Sequence, residues 1–175
     1  MEKNWEEIRK LAVEYADDNI NNRGMNCSES VFEALIRSGA IDAPLEAVAY
    51  ATGFGGGGGG VGYTCGALSS GILANSIAHG RKGPFSASNR MELKEKYYQR
   101  YNNLVSDFVK VAGSGLCREI VNEFTDGYVD SLTRPNCIRI VAAAAGIAVD
   151  YLQKDEQEAA KLEYDPDVVG TNNWL

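Results

Sequence analysis

The sequence predicts an all-α protein: a compact multi-helix bundle in which a glycine-rich loop leads into the helix opened by Cys65. Three observations predict it. Apolar residues recur at i, i+3 and i+4 spacing through most of the chain. N-cap residues and helix-stopping glycines punctuate those stretches at helical lengths. No apolar–polar alternation runs longer than about four residues, so a sheet has no strand to start from.

The elements follow in order. Trp5, Ile8, Leu11, Ala12 and Tyr15 share one face, which predicts a helix over 3–21. Gly24 breaks the chain, and Asn26 with Glu29 makes a capping box for a second helix that buries Val31, Phe32, Leu35 and Ile36 and stops at Gly39. Asp42 and Pro44 open a short third helix that Gly53 closes. The segment 53–62 is almost all glycine, and Thr64 is the expected cap of a helix over 65–78. Ser88 starts a long polar helix to Ala112, with Met91, Leu93, Tyr97, Tyr101, Leu104, Val105 and Phe108 inward. Gly113 and Gly115 separate it from a short helix over 117–124, and Asp126-Gly127 turns the chain. Pro135 and Asn136 lead into a last core helix over 137–153. Residues 1–154 are expected to form one helical domain, with 155–175 an acidic tail that is surface-packed or disordered.

Composition bounds the function. With 175 residues, one core suffices without disulfides. A net charge of −7 argues against nucleic acid, which is bound by neutralising phosphates. The longest aliphatic run, 140–149, is well short of the roughly 20 residues of a membrane span, so the protein is not expected to be membrane-embedded. The polar, helical N-terminus shows no leader, and a cytoplasmic location is expected. In that compartment cysteines point to metal binding or catalysis before structural disulfides. From Ala47 to Gly80, 34 residues pass without an Asp, Glu, Lys or Arg. Such a stretch belongs inside the bundle or at an oligomer interface, which leaves a homodimer open.

The four cysteines carry the chemistry. Cys27, Cys65, Cys117 and Cys137 each stand in or near the first turn of an expected helix, behind Asn26, Thr64, Ser114 and Asn136. Unpaired N–H groups and the dipole there favour the thiolate, the form that attacks disulfides and binds metal. Four buried, inert thiols are the plainer alternative.

The glycine run contains GxGxxG matches but lacks the preceding strand and following acid of a dinucleotide site, and it has no Gly-Lys-Ser/Thr. Its backbone can still approach a cofactor or a helix closely, and its N–H groups can form an anion-receiving nest beside Cys65. Glycines at 66 and 71 inside a helix cost about 1 kcal/mol each against alanine, so a close neighbour is expected there. His79, the single histidine, is 14 residues past Cys65, about 21 Å along a helix, and cannot serve it as a base. Cysteine separations of 38, 52 and 20 residues exclude a zinc knuckle and a Cys-x-x-Cys motif; a shared metal site requires the helix starts to converge.

Around Cys65 the chain reads Thr64-Cys65-Gly66-Ala67-Leu68-Ser69-Ser70-Gly71, a CGAxxG-type element with one cysteine upstream and two downstream. This order resembles the redox-active family named for its C–GCAxxG–C–C motif, over about residues 26–151. The resemblance implies a redox or ligand set of Cys27, Cys65, Cys117 and Cys137, framed by Gly66, Ala67 and Gly71, with Gly60 and Gly62 on the approach. A related domain in split-Soret cytochromes is linked to an iron–sulfur centre.

Three readings follow. In the first, four converging thiolates bind an iron–sulfur cluster or another metal for electron transfer or redox sensing, with a partner protein as donor or acceptor. In the second, a metal-free oxidoreductase cycles two cysteines through a disulfide while the others resolve or relay; its mark is a low-pKa, partly exposed cysteine, for which Cys27 and Cys65 are the candidates. In the third, the protein is a non-catalytic helical scaffold.

Overall fold

The computed structural model describes residues 3–83, 85, 92–122 and 135–168. Its helices are α1 (Trp5–Asn22), α2 (Cys27–Arg37), α3 (Gly66–His79), α4 (Tyr98–Ala112), α5 (Cys117–Asn122), α6 (Pro135–Leu152) and α7 (Glu156–Ala160). Described residues form no strand, only an isolated antiparallel bridge between Thr64 and Leu116. Ser88, Met91, Phe124 and Asp126-Gly127 lie outside the described residues.

The core is the mutual packing of α1, α2, α3 and α6, with α4 closing over α6. α1 buries Ala12, Ala16, Asn19 and Ile20 at helical spacing, and α6 answers with Ala144, Ala145, Ala148 and Val149. Small residues let the two backbones approach. A Cβ at Gly146 would stand 3.2 Å from Val13 Cγ2. Arg9 clamps the crossing through its 2.7 Å pair with Asp150.

One carboxylate is fully inside among the described residues. Glu33 on α2 is 1% exposed and accepts from Asn19 Nδ2 at 2.6 Å and Arg23 Nη1 at 2.7 Å, with Arg37 at 3.4 Å. Burial pushes its carboxyl up, but the bonds from Arg23 and Asn19 and the Arg37 charge bring it below its ordinary value. Removing those partners would leave an uncompensated buried charge, so the cluster fixes how α1 sits on α2.

The expected third helix is two short 3₁₀ turns, Leu45–Tyr50 and Thr52–Phe54. The glycine run that follows is a left-handed turn. Gly56 to Gly60 all have φ between 63° and 92°, and Gly60 N–H closes on Gly55 O at 3.2 Å. L-residues with side chains would cost roughly 1–2 kcal/mol each in this conformation, so five in succession require glycine.

The long polar helix is interrupted. A π-helical turn, Leu93–Tyr97, precedes α4, which buries Leu104 and Phe108 as expected and also Gln99 and Arg100. Arg100 reaches the C-terminal end of α6, donating to the carbonyls of Tyr151, Lys154 and Asp155. His79 donates there too, from Nε2 to Leu152 O at 2.9 Å, at the opposite end of α3 from Cys65. Beyond α6, Asp155 and Glu158 form a capping box for α7. Tyr164 and Asp165 then bond Lys94 O and Asn102 on the π turn and α4.

Candidate dithiol site

Cys27 is the first residue of α2. Its position is set by the capping box expected from sequence: Asn26 Oδ1 accepts from Ser28 N and Glu29 N, and Glu29 returns a bond to Asn26 N. Asn26 Nδ2 also donates to Thr52 O at 3.2 Å, and Thr52 Oγ1 to Glu29 Oε1 at 2.7 Å, which ties the cap to the segment entering the glycine turn.

Thr64 is not the cap of α3. Cys65 is itself the N-cap. Two bonds to the α5 side hold Cys65 there: Cys65 N–H donates to Gly115 O at 2.9 Å, and Cys117 N–H to Tyr63 O at 2.6 Å.

The two thiols meet. Cys27 and Cys65 share a hydrogen bond, and the open N–H groups of Gly66 and Ala67 at the start of α3 point at Cys27. The N–H of Gly56 in the glycine turn does so as well. Cys27 therefore caps α3 from a different helix. The bond from Cys65 chiefly, then those three backbone N–H groups, outweigh burial and lower the Cys27 thiol to about 6. Cys65 moves the opposite way: sharing its proton with Cys27, burial and the neighbouring negative charge keep it protonated well above the usual thiol range. Cys65 is 7% exposed and Cys27 half-buried, so the lowered thiol belongs to the more exposed residue of the pair.

The motif glycines have separate jobs. A Cβ on Gly66 would fall 2.8 Å from Cys27 Sγ and 2.7 Å from Phe54 O. At Gly71 a Cβ would only touch Ala148 Cβ at 3.5 Å, an ordinary contact. Ala67 is fully buried. Counted strictly, the closing position of a CGAxxG element, five residues after Cys65, is Ser70 and not Gly71. Ser70 donates to Ser28 O at 2.7 Å and shares a second bond with Ser28 Oγ at 2.7 Å, joining α3 to the cysteine helix. Sequence reasoning missed this pair; two serines on separate apolar helix faces were the available signal.

Cys117, the first residue of α5, lies across the glycine turn from this pair. A Cβ on the buried Gly57 would come 2.8 Å from Cys117 Cβ and 2.6 Å from Tyr63 N. Gly60 and Gly62 donate within the turn, to Gly55 O and Gly56 O, so the N–H that reaches a sulfur comes from Gly56. Cys137 is half-buried in the first turn of α6, which begins at Pro135 rather than after Asn136. All four sulfurs are thiols. A four-thiolate cluster site is a larger donor set than the geometry gathers: among the described residues, no three His, Cys, Asp or Glu side chains group as metal ligands. The residues present suit a dithiol.

The family described as "Putative redox-active protein (C_GCAxxG_C_C)" matches residues 25–151. The chain belongs to this family of redox-active proteins. No curated protein and no solved structure matches it. Among the described residues no helix is long and apolar enough to cross a membrane.

Proposed function

We propose that the protein is a thiol–disulfide oxidoreductase in which Cys27 is the nucleophile and Cys65 the resolving thiol. The observation that carries the reading is the meeting of Cys27 with Cys65 at the start of α3, where the thiol of the more exposed residue is the one that is lowered. The Cys27 thiolate attacks one sulfur of a disulfide, R–S–S–R′. That S–S bond breaks, R′S⁻ leaves and takes up a proton, and a mixed disulfide joins Cys27 to R. Cys65 then gives up its proton and attacks the Cys27 sulfur. The Cys27–Cys65 disulfide forms, and RS⁻ departs and is protonated. Two electrons pass from the two protein thiols to the substrate disulfide, and a dithiol donor restores the pair by the reverse sequence.

Loss of the Cys27 charge in the first step removes the Cys27 contributions that raise Cys65 and leaves burial, so attack by Cys27 eases deprotonation of Cys65. The reducing cytoplasm and an electron-donating protein partner fit this chemistry. The iron–sulfur reading requires Cys117 and Cys137 to join the pair, a gathering that the described side chains do not make.

The test is alkylation by iodoacetamide across pH, with the labelled cysteine located by mass spectrometry. Cys27 should react first, with a midpoint near pH 6. Equilibration with a disulfide buffer should yield a single Cys27–Cys65 bond. A midpoint near 8.5, about the value of a free thiol, would overturn the proposal. So would stoichiometric iron and acid-labile sulfide in anaerobically purified protein.

A further inference from the structure

Thr64 precedes the resolving cysteine and stands in the Thr64–Leu116 antiparallel bridge. The bonds Cys65 N–H to Gly115 O and Cys117 N–H to Tyr63 O flank that bridge on either side. This is the pattern in which the bridged residues themselves are not hydrogen-bonded to each other, so the N–H and C=O of Thr64 face away from the α5 side. Leu116 satisfies its own groups: its N–H goes to Ser114 Oγ at 3.0 Å, and its carbonyl receives Glu119 and Ile120. Thr64 has no such resolution. It is exposed, and among the described residues neither its N–H nor its carbonyl has a partner. The chain therefore presents one open strand position, with both groups unpaired, immediately beside the thiol pair.

The surroundings fit the same occupant. Val61 and Tyr63 are 59% and 61% exposed, and Phe54, whose carbonyl lies against Gly66 and so against Cys27, is 40% exposed. These side chains belong to the stretch from Ala47 to Gly80 that carries no Asp, Glu, Lys or Arg in a protein of net charge −7. The cation at this rim is Arg118, whose guanidinium is 6.0 Å from the Tyr63 ring.

We propose that Thr64 is a docking edge for an extended segment of another protein that carries the disulfide to be reduced. The inference rests on the thiol–disulfide reading above. The partner segment adds as a one-position strand: its carbonyl accepts from Thr64 N–H and its N–H donates to Thr64 C=O, while uncharged side chains lie over Val61, Tyr63 and Phe54. Main-chain pairing holds the disulfide in line with Cys27 without selecting a particular side chain. A small charged disulfide has no main chain to pair in this way and meets an almost uncharged rim.

The test uses the full-length, pre-reduced protein in single-turnover reactions with two probes sharing one leaving group. One is an uncharged peptide whose central cysteine is in a mixed disulfide with 2-nitro-5-thiobenzoate. The other is 2-mercaptoethanol in the same mixed disulfide, which has no amide to pair. The peptide should release the chromophore about tenfold faster. Methylating the peptide's backbone nitrogens one at a time should slow it about fivefold at one position and leave the others almost unchanged. Because the change is made in the probe, folding of the protein is not at issue. Equal rates for the two probes, or a flat methylation scan, overturn the docking edge and leave the exchange chemistry standing. Failure of both probes to react overturns the exchange reading, and the edge with it.

Discussion

The sulfur of Cys27 lies 2.8 Å from where a Cβ on Gly66 would stand. The missing side chain is what lets one helix place a thiolate on the first turn of another. Most helices cap their open N–H groups with a residue from their own chain segment. Here Cys65, the N-cap of α3, receives Ala67 and Leu68 N–H, and Cys27, from a different helix, receives Gly66 and Ala67 N–H as well. The backbone bonds that cap α3 thus also help the bond from Cys65 to lower the Cys27 thiol.

If so, Gly66 and Gly71 should respond differently to alanine. Gly66→Ala forces a methyl into Cys27 Sγ and Phe54 O, so it should destabilise the fold by about 1–3 kcal/mol and slow Cys27 alkylation at pH 7. Gly71→Ala adds an ordinary contact with Ala148 and removes a helical glycine, so it should be neutral or stabilise by up to about 1 kcal/mol. Urea denaturation of both variants checks the pair. A Gly71→Ala loss as large as that of Gly66→Ala would remove the distinction.

Cys65 is the largest cause of the lowered Cys27 thiol. Cys65→Ala should therefore move the alkylation midpoint of Cys27 from about 6 up toward the ordinary thiol range, although three backbone N–H groups remain. Cys65→Ser keeps a donor and should fall between the two. A Cys65→Ala protein with the wild-type midpoint would show that the backbone alone sets the charge.

Much of this was legible in the sequence, and the part that was not has a physical reason. The capping box at Asn26 and Glu29 is local, needing residues three apart, and it forms as expected. The buried faces of α1 and α2 follow from period alone. The glycine run was legible as a need for unusual backbone but not as a left-handed turn, because glycine permits both signs of φ. Which cysteines meet depends on the packing of α2 against α3, a contact across nearly forty residues that no local pattern encodes. Thr64 is of a residue type that favours caps, but the pairing of Tyr63 and Cys65 with the α5 side holds it in extended backbone, a contact distant in sequence.

Ser28 and Ser70 should behave as one unit. Each hydroxyl is fully buried and each is satisfied by the other residue. Removing one leaves the other's polar group without that bond, at about 1–3 kcal/mol, whereas removing both leaves less unsatisfied. The double variant Ser28→Ala/Ser70→Ala should thus be less destabilised than the sum of the singles, by about 1 kcal/mol in a double-mutant cycle. Additive losses would mean the serines act independently.

The thiol pair also gives the fold a pH dependence whose sign is fixed by the two opposed shifts. Cys27 has a folded value lowered to about 6 from 9.0, so its contribution is fully present above the unfolded thiol value and is lost as pH falls through about 6. Cys65 is raised, so its contribution is present below the unfolded value and fades only as pH climbs past it. Between pH 6 and the ordinary thiol range, then, Cys27 alone changes its contribution, and stability should rise with pH. Cys27→Ser retains a hydrogen-bond acceptor at the start of α3 but cannot ionise there. Urea denaturation under a phosphine reductant should show the wild-type protein gaining on Cys27→Ser as pH is raised from 6 to 8. Parallel stability curves over that interval would mean that the sulfur on α3 carries no special charge, and the nucleophile would have to be sought elsewhere.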